Sequence, residues 1–170
     1  MIAPRRLSAI AIAALLTGLL AGCSAAGGQS PAAASVASGP GASVAPIVRE
    51  DLGSTLPATA AGQRLGLWHY EIQPGAALPS HHHPGWQVAR ITAGTLTYQI
   101  IAGQATVIRG GGATETHGTG ETVTLATGDS VVENPDIQHF GANNGSVPVE
   151  IYTASLFTDG SPPAIVLPAP

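Results

Sequence analysis

The stretch from Leu65 to Leu156 is cut into pieces too short for stable helices, and this limits the fold most. The segments Leu65–Gln73, Trp86–Thr92, Thr95–Ile101, Ala105–Arg109, Thr122–Ala126, Ser130–Glu133 and Val147–Leu156 are rich in β-branched and aromatic residues and partly alternate. Between them stand Pro74-Gly75, Pro84-Gly85, Ala93-Gly94, Ala102-Gly103, Gly128-Asp129 and Asn143-Asn144-Gly145, short groups of residues that turn a chain. Short strands so punctuated, with no helical period, predict an all-β sandwich or barrel. Residues 110–121, polar and Gly-rich with Glu115, His117 and Glu121, read as a mobile loop. Ala164–Leu167 reads as an edge segment limited by flanking prolines. Aromatics are only 4% of the chain, so Val, Ile, Leu and Ala must build the core.

The N-terminal third has another texture. Arg5 and Arg6 precede an apolar run from Ala9 to Ala21, interrupted only by Thr17 and Gly18. A charged segment followed by an apolar one of this length is the pattern of a signal peptide, here residues 1–22, and is short for a stable membrane span. The run ends in Leu20-Ala21-Gly22-Cys23, which resembles the lipobox of bacterial lipoproteins. That resemblance implies acylation of Cys23 and a protein lipid-anchored to the cell membrane on its extracytoplasmic side. From position 24 to 46, Ala, Ser, Gly and Pro fill 20 of 23 positions, a composition that cannot repay ordering entropy. Residues 23–46 therefore read as a disordered linker, and 47–170 as the folded domain, with its core in 65–157. The one Cys in the chain excludes a disulfide scaffold, and six basic residues, all Arg, leave no stripe for nucleic acid.

Chemistry gathers in the histidines. Side chains two apart on an extended strand share a face, so His81 and His83 converge while His82 points away. A third imidazole from a neighbouring strand would complete a set for a divalent metal. The spacing is more telling than the cluster. Gly75 is followed after five residues by His81, after one by His83, after three by Gln87 and after six by Gly94. This resembles the first motif of the cupin superfamily, with Gln87 in place of its Glu. Gly128, His139 and Asn143 keep the spacings of the second cupin motif, while Asn134 and Asp136 stand at its Pro and Gly positions.

The resemblance spans Leu65 to Leu156 and implies a single cupin β-barrel, or jelly roll. It implies a divalent metal (Mn, Fe, Ni, Cu or Zn) held by His81, His83, Gln87 and His139, a small-molecule ligand, and pairing as a homodimer. An amide at position 87 would leave the full charge of a dication in the pocket, so a Gln87→Glu change is predicted to tighten binding without disturbing the barrel. Trp86 and Phe140 are candidates to line the substrate pocket, and Tyr98 reads as core packing. His69 and His117 read as ordinary strand and loop histidines. Two functions stay open: a metal-dependent enzyme of oxygenase type, or a non-catalytic surface module for a sugar, metabolite or metal.

Overall fold

The computed structural model describes residues 46–168; the signal peptide, Cys23 and the linker through residue 45 lie outside the described residues. Burial alternates along Gly85–Ala93, Gln104–Ile108, Thr122–Ala126 and Val149–Thr158, and no described residue is helical. The twelve strands are β1 (Ile47–Thr55), β2 (Gln63–Ile72), β3 (His81–His82), β4 (Gly85–Ala93), β5 (Thr95–Ala102) and β6 (Gln104–Ile108). They continue as β7 (Thr114–Gly118), β8 (Thr122–Ala126), β9 (Ser130–Glu133), β10 (Gln138–Ala142), β11 (Val149–Thr158) and β12 (Ile165–Val166). A seven-stranded sheet runs β1-β2-β11-β4-β9-β6-β7, and a five-stranded sheet runs β12-β3-β10-β5-β8. From β3 onward the chain passes to the other sheet at every connection except β6–β7, the winding of a jelly roll.

One face of each sheet is apolar because the sequence alternates. In β4, Gln87, Ala89 and Ile91 are buried, while Trp86, Val88 and Arg90 are exposed. Ile91 and Ile151 of the large sheet pack in one core with Leu96, Ile100 and Leu125 of the small sheet. Gly94 closes the β4–β5 turn with φ +73°, and a Cβ there would lie 2.5 Å from the Pro148 carbonyl oxygen. Both facts restrict the position to glycine.

Two edge strands depart from expectation. β1 carries Arg49, Glu50 and Asp51, and its polarity suits an exposed edge paired on one side only to β2. Residues 110–121 are not wholly a loop: Thr114–Gly118 forms β7 and pairs with β6 along its length. Arg109 fixes this hairpin, donating to Glu115 Oε2 from Nε and Nη2 at 2.9 and 2.7 Å and to Asp129 Oδ2 from Nη1 at 2.9 Å. The guanidinium holds the Glu115 carboxyl well below the usual carboxylate range.

The second motif has a structural logic of its own. Asn143 is fully buried, and its amide donates to the carbonyls of Ile72 and Val147, both at 2.8 Å, so it clamps a turn. Asn134 Oδ1 accepts from the Asp136 backbone N–H at 2.9 Å. This side-chain turn takes the place of the motif's Pro and Gly.

Candidate metal centre

Strand register assembles the site between the sheets. His139 of β10 lies directly opposite His81 of β3, and their ring centroids are 4.3 Å apart. His83 follows β3 and is held by stacking on Phe157 of β11, with ring centroids 5.4 Å apart. All three imidazoles are buried, and each offers a ring nitrogen within 4.8 Å of the other two. His82, of opposite parity, is outside this group.

The outer nitrogens show which inner ones are free. His81 Nδ1 lies 2.7 Å from the Pro79 carbonyl oxygen, and His83 Nδ1 lies 2.7 Å from that of Pro163. A carbonyl only accepts, so both Nδ1 atoms carry the proton in the neutral ring and both Nε2 atoms present a lone pair. Metal-binding histidines are oriented in this way. His139 Nδ1 is buried with no hydrogen-bond partner. Three convergent imidazoles, two of them anchored through the far nitrogen, form a donor set that fits a divalent transition metal.

Burial depresses the basicity of two of them. It holds the His81 and His139 imidazoles below their usual range, His139 down to about 4, against the opposing pull of the Glu133 carboxylate on both. His83 goes the other way. Burial lowers it, but the Glu133 carboxylate and the Pro163 carbonyl outweigh burial and raise it.

Glu133 is the residue that sequence reasoning missed. It ends β9 on the inward face, only 2% exposed, and is paired in register with Gln87 of β4. Its Oε1 accepts from the Tyr98 hydroxyl at 3.0 Å, and its Oε2 accepts from Gln87 Nε2 at 2.9 Å. Its two oxygens stand 3.3 Å from His139 Nε2 and His83 Nε2 respectively. Burial opposes the charge, but the surrounding imidazoles and the Tyr98 hydroxyl hold the carboxyl below its ordinary range. Burial and the Glu133 charge push the Tyr98 hydroxyl far up, so it remains a donor.

Gln87 reaches the site with its amide already engaged. Its Oε1 accepts from Ser155 Oγ at 2.9 Å, and its Nε2 faces Glu133 and, at 3.1 Å, His83 Nε2. Trp86 is 55% exposed and does not line the cavity, and neither does Phe140. Tyr98 packs in the core, as expected from sequence, and also lines the cavity. The cavity beside the histidines is about 110 Å³ and walled mainly by aliphatic side chains, Ile72, Leu78, Ile91, Leu125 and Ile151 among them. Thr153 also faces it, with a buried Oγ1 that has no partner.

No family model and no curated protein matches the sequence. Among solved structures, the chain is similar to a cupin 2 domain-containing protein from Halorhodospira halophila, at 14% identity and TM-score 0.49, over 72% of this chain and 71% of that one. It is similar to KdgF from Halomonas sp., at 17% identity and TM-score 0.46, over 65% of this chain and 78% of that one. It also matches an oxalate oxidase in complex with glycolate, at 15% identity and TM-score 0.47, over 72% of this chain. The chain spans 55% of that oxidase and 44% of a DMSP lyase chain that it matches as well. The winding of the two sheets defines the class of fold, a jelly-roll β-barrel, and both histidine motifs sit side by side on neighbouring strands of its five-stranded sheet. Within the barrel lies a buried centre of His81, His83 and His139 able to bind a metal.

Proposed function

We propose that this protein binds a divalent metal at His81, His83 and His139 and a small organic molecule in the adjoining cavity, as a metal-dependent enzyme of oxygenase type. One observation carries the reading: the imidazoles converge at the polar end of an otherwise aliphatic cavity. When bound, a metal of this kind supplies Lewis-acid or redox chemistry to an oxygen-containing ligand. The chain's own residues do the rest. The aliphatic walls exclude water and select a small molecule with an apolar body and one polar end. Thr153 Oγ1 offers that ligand a hydrogen bond, and Tyr98 holds its proton toward Glu133. A non-catalytic binding module is the second reading, favoured by the engagement of Gln87 and Glu133 with each other and with Ser155 and Tyr98. Elemental analysis of chain purified without chelator is expected to find about one transition-metal ion per chain. Turnover of a panel of small oxygen-containing compounds then separates enzyme from binder, and a metal-free preparation that takes up none on titration refutes both.

Export and anchoring rest on Arg5-Arg6, the apolar run and Cys23. Acylated Cys23 would hold the domain to the membrane through the linker, since two or more acyl chains anchor stably. Cys23→Ala is expected to move the protein from the membrane fraction to a soluble or unprocessed form. Unchanged fractionation at mature size would reject the anchor.

A further inference from the structure

Resting on the metal-centre reading above, we infer that Glu133, and not Gln87, supplies the fourth and only anionic donor of the centre. The carboxylate that the first motif lacks at position 87 is delivered from the facing position of the neighbouring strand.

The amide of Gln87 is turned the wrong way to ligate. Its oxygen is bound to Ser155, and the end facing the histidines is the NH2, which has no lone pair to give. Turning the amide over would set its oxygen 2.9 Å from a carboxylate oxygen, two acceptors with no proton between them. Glu133 has the opposite character. Both of its oxygens border the centre at 3.3 Å from an imidazole nitrogen, one facing His83 and the other His139. Two donors each about 2.0–2.1 Å from one tetrahedral ion stand roughly 3.3–3.4 Å apart. Each of the two Glu133 oxygens thus stands from one imidazole nitrogen at the separation that two donors to such an ion have.

Charge leads to the same residue. Glu133 is fully buried, the chain has no Lys, and none of the hydrogen-bond or ion-pair partners of Glu133 is an Arg. A buried carboxylate without a cationic side chain is costly, and a bound dication among three neutral imidazoles answers it. Gln87 and Glu133 are register partners on adjacent inward positions, so moving the acid between β4 and β9 displaces it by one strand spacing and leaves it on the same wall. Gln87 then acts as a positioning residue: it bridges Ser155 to Glu133 and fixes the carboxylate.

The test is Zn²⁺ titration by calorimetry of the full chain and of Glu133→Gln, with the exchanged double variant Gln87→Glu/Glu133→Gln. Glu133→Gln is expected to bind at least thirtyfold more weakly than the wild type, and the double variant to recover at least tenfold of that loss. A loss below thirtyfold, or a double variant that recovers less than tenfold, overturns the inference. Glu133→Gln removes a buried charge and its folding is checked by circular dichroism, but a second readout needs no variant. In wild-type protein labelled with ¹³C-carboxyl glutamate, the infrared carboxylate stretch of one buried Glu is expected to shift on Zn²⁺ addition; an unshifted spectrum in protein that binds Zn²⁺ overturns the inference. Wild-type protein that binds no Zn²⁺ fails at the earlier step, the metal centre itself.

Discussion

Loss of a single imidazole is expected to lower the affinity of the centre for Zn²⁺ by about 100- to 1,000-fold. A structural zinc set contributes roughly 10–16 kcal/mol over four donors, so each donor is worth about 3 kcal/mol, and every 1.4 kcal/mol is a factor of ten. His81→Ala, His83→Ala and His139→Ala should therefore fall together in calorimetric titration. His82→Ala should stay within about threefold of the wild type, because His82 lies outside the converging group. Acid should act in the same direction, since each ligating nitrogen must be unprotonated. His83 holds its proton to higher pH than an ordinary imidazole, so affinity begins to fall already above about 6.5 as pH is lowered. His81 and His139 are depressed and stay neutral further into acid, where they add to the loss only later. Equal affinities in all four variants, or an affinity constant between pH 8 and pH 5, would show that the histidines do not bind metal.

The barrel was legible because its signals are local. The turn residues between strands and the alternation in β4 and β5 are properties of a few neighbouring positions. The same alternation settled more of the site than the sequence reading used. If Gln87 points inward, Trp86 must point outward, and if His139 points inward, Phe140 must point outward. The parity that separated His82 from its neighbours thus already placed both aromatic candidates outside the cavity.

Other parts were hidden for physical reasons. β1 and β7 are edge strands, and an edge strand lacks the apolar alternation of a half-buried one because polar residues protect it from further pairing. Glu133 was hidden by register. β9 is four residues long and buried on both faces at Ser130 and Val131, so its own pattern does not say which way Glu133 points. That direction follows only from the pairing of Glu133 with Gln87, a partner 46 residues away. Tyr98 does pack in the core as expected, but the role of its hydroxyl shows only once the β9 carboxylate is known to face it.

Glu133 also reverses one expectation about position 87. From sequence, Gln87→Glu adds a single missing charge; in the structure it sets a second carboxylate 2.9 Å from the first, in the place of a donor. Two like charges about 3 Å apart repel by roughly 5 kcal/mol at an effective dielectric of 20. The pair will instead retain one proton, with the upper pKa of the couple raised above the unfolded value of about 4.3. A carboxyl raised in the folded state binds more protons folded than unfolded, so stability is lost as pH climbs from the unfolded pKa to the folded one, and the loss is complete above it. In chelator at pH 8 the variant is therefore expected to melt about 10 °C below the wild type, from roughly 3 kcal/mol at about 3–4 °C per kcal/mol for a domain of this size. At pH 5 most of the difference should vanish. Zinc should reverse it too, because a dication between two carboxylates removes the repulsion, and a ligand at 1,000 times its dissociation constant adds about 4 kcal/mol. Differential scanning calorimetry at the two pH values, with chelator and with Zn²⁺, separates these effects. A variant that melts with the wild type at pH 8 in chelator would mean that Glu133 does not face position 87, and the carboxylate would have no place in the centre.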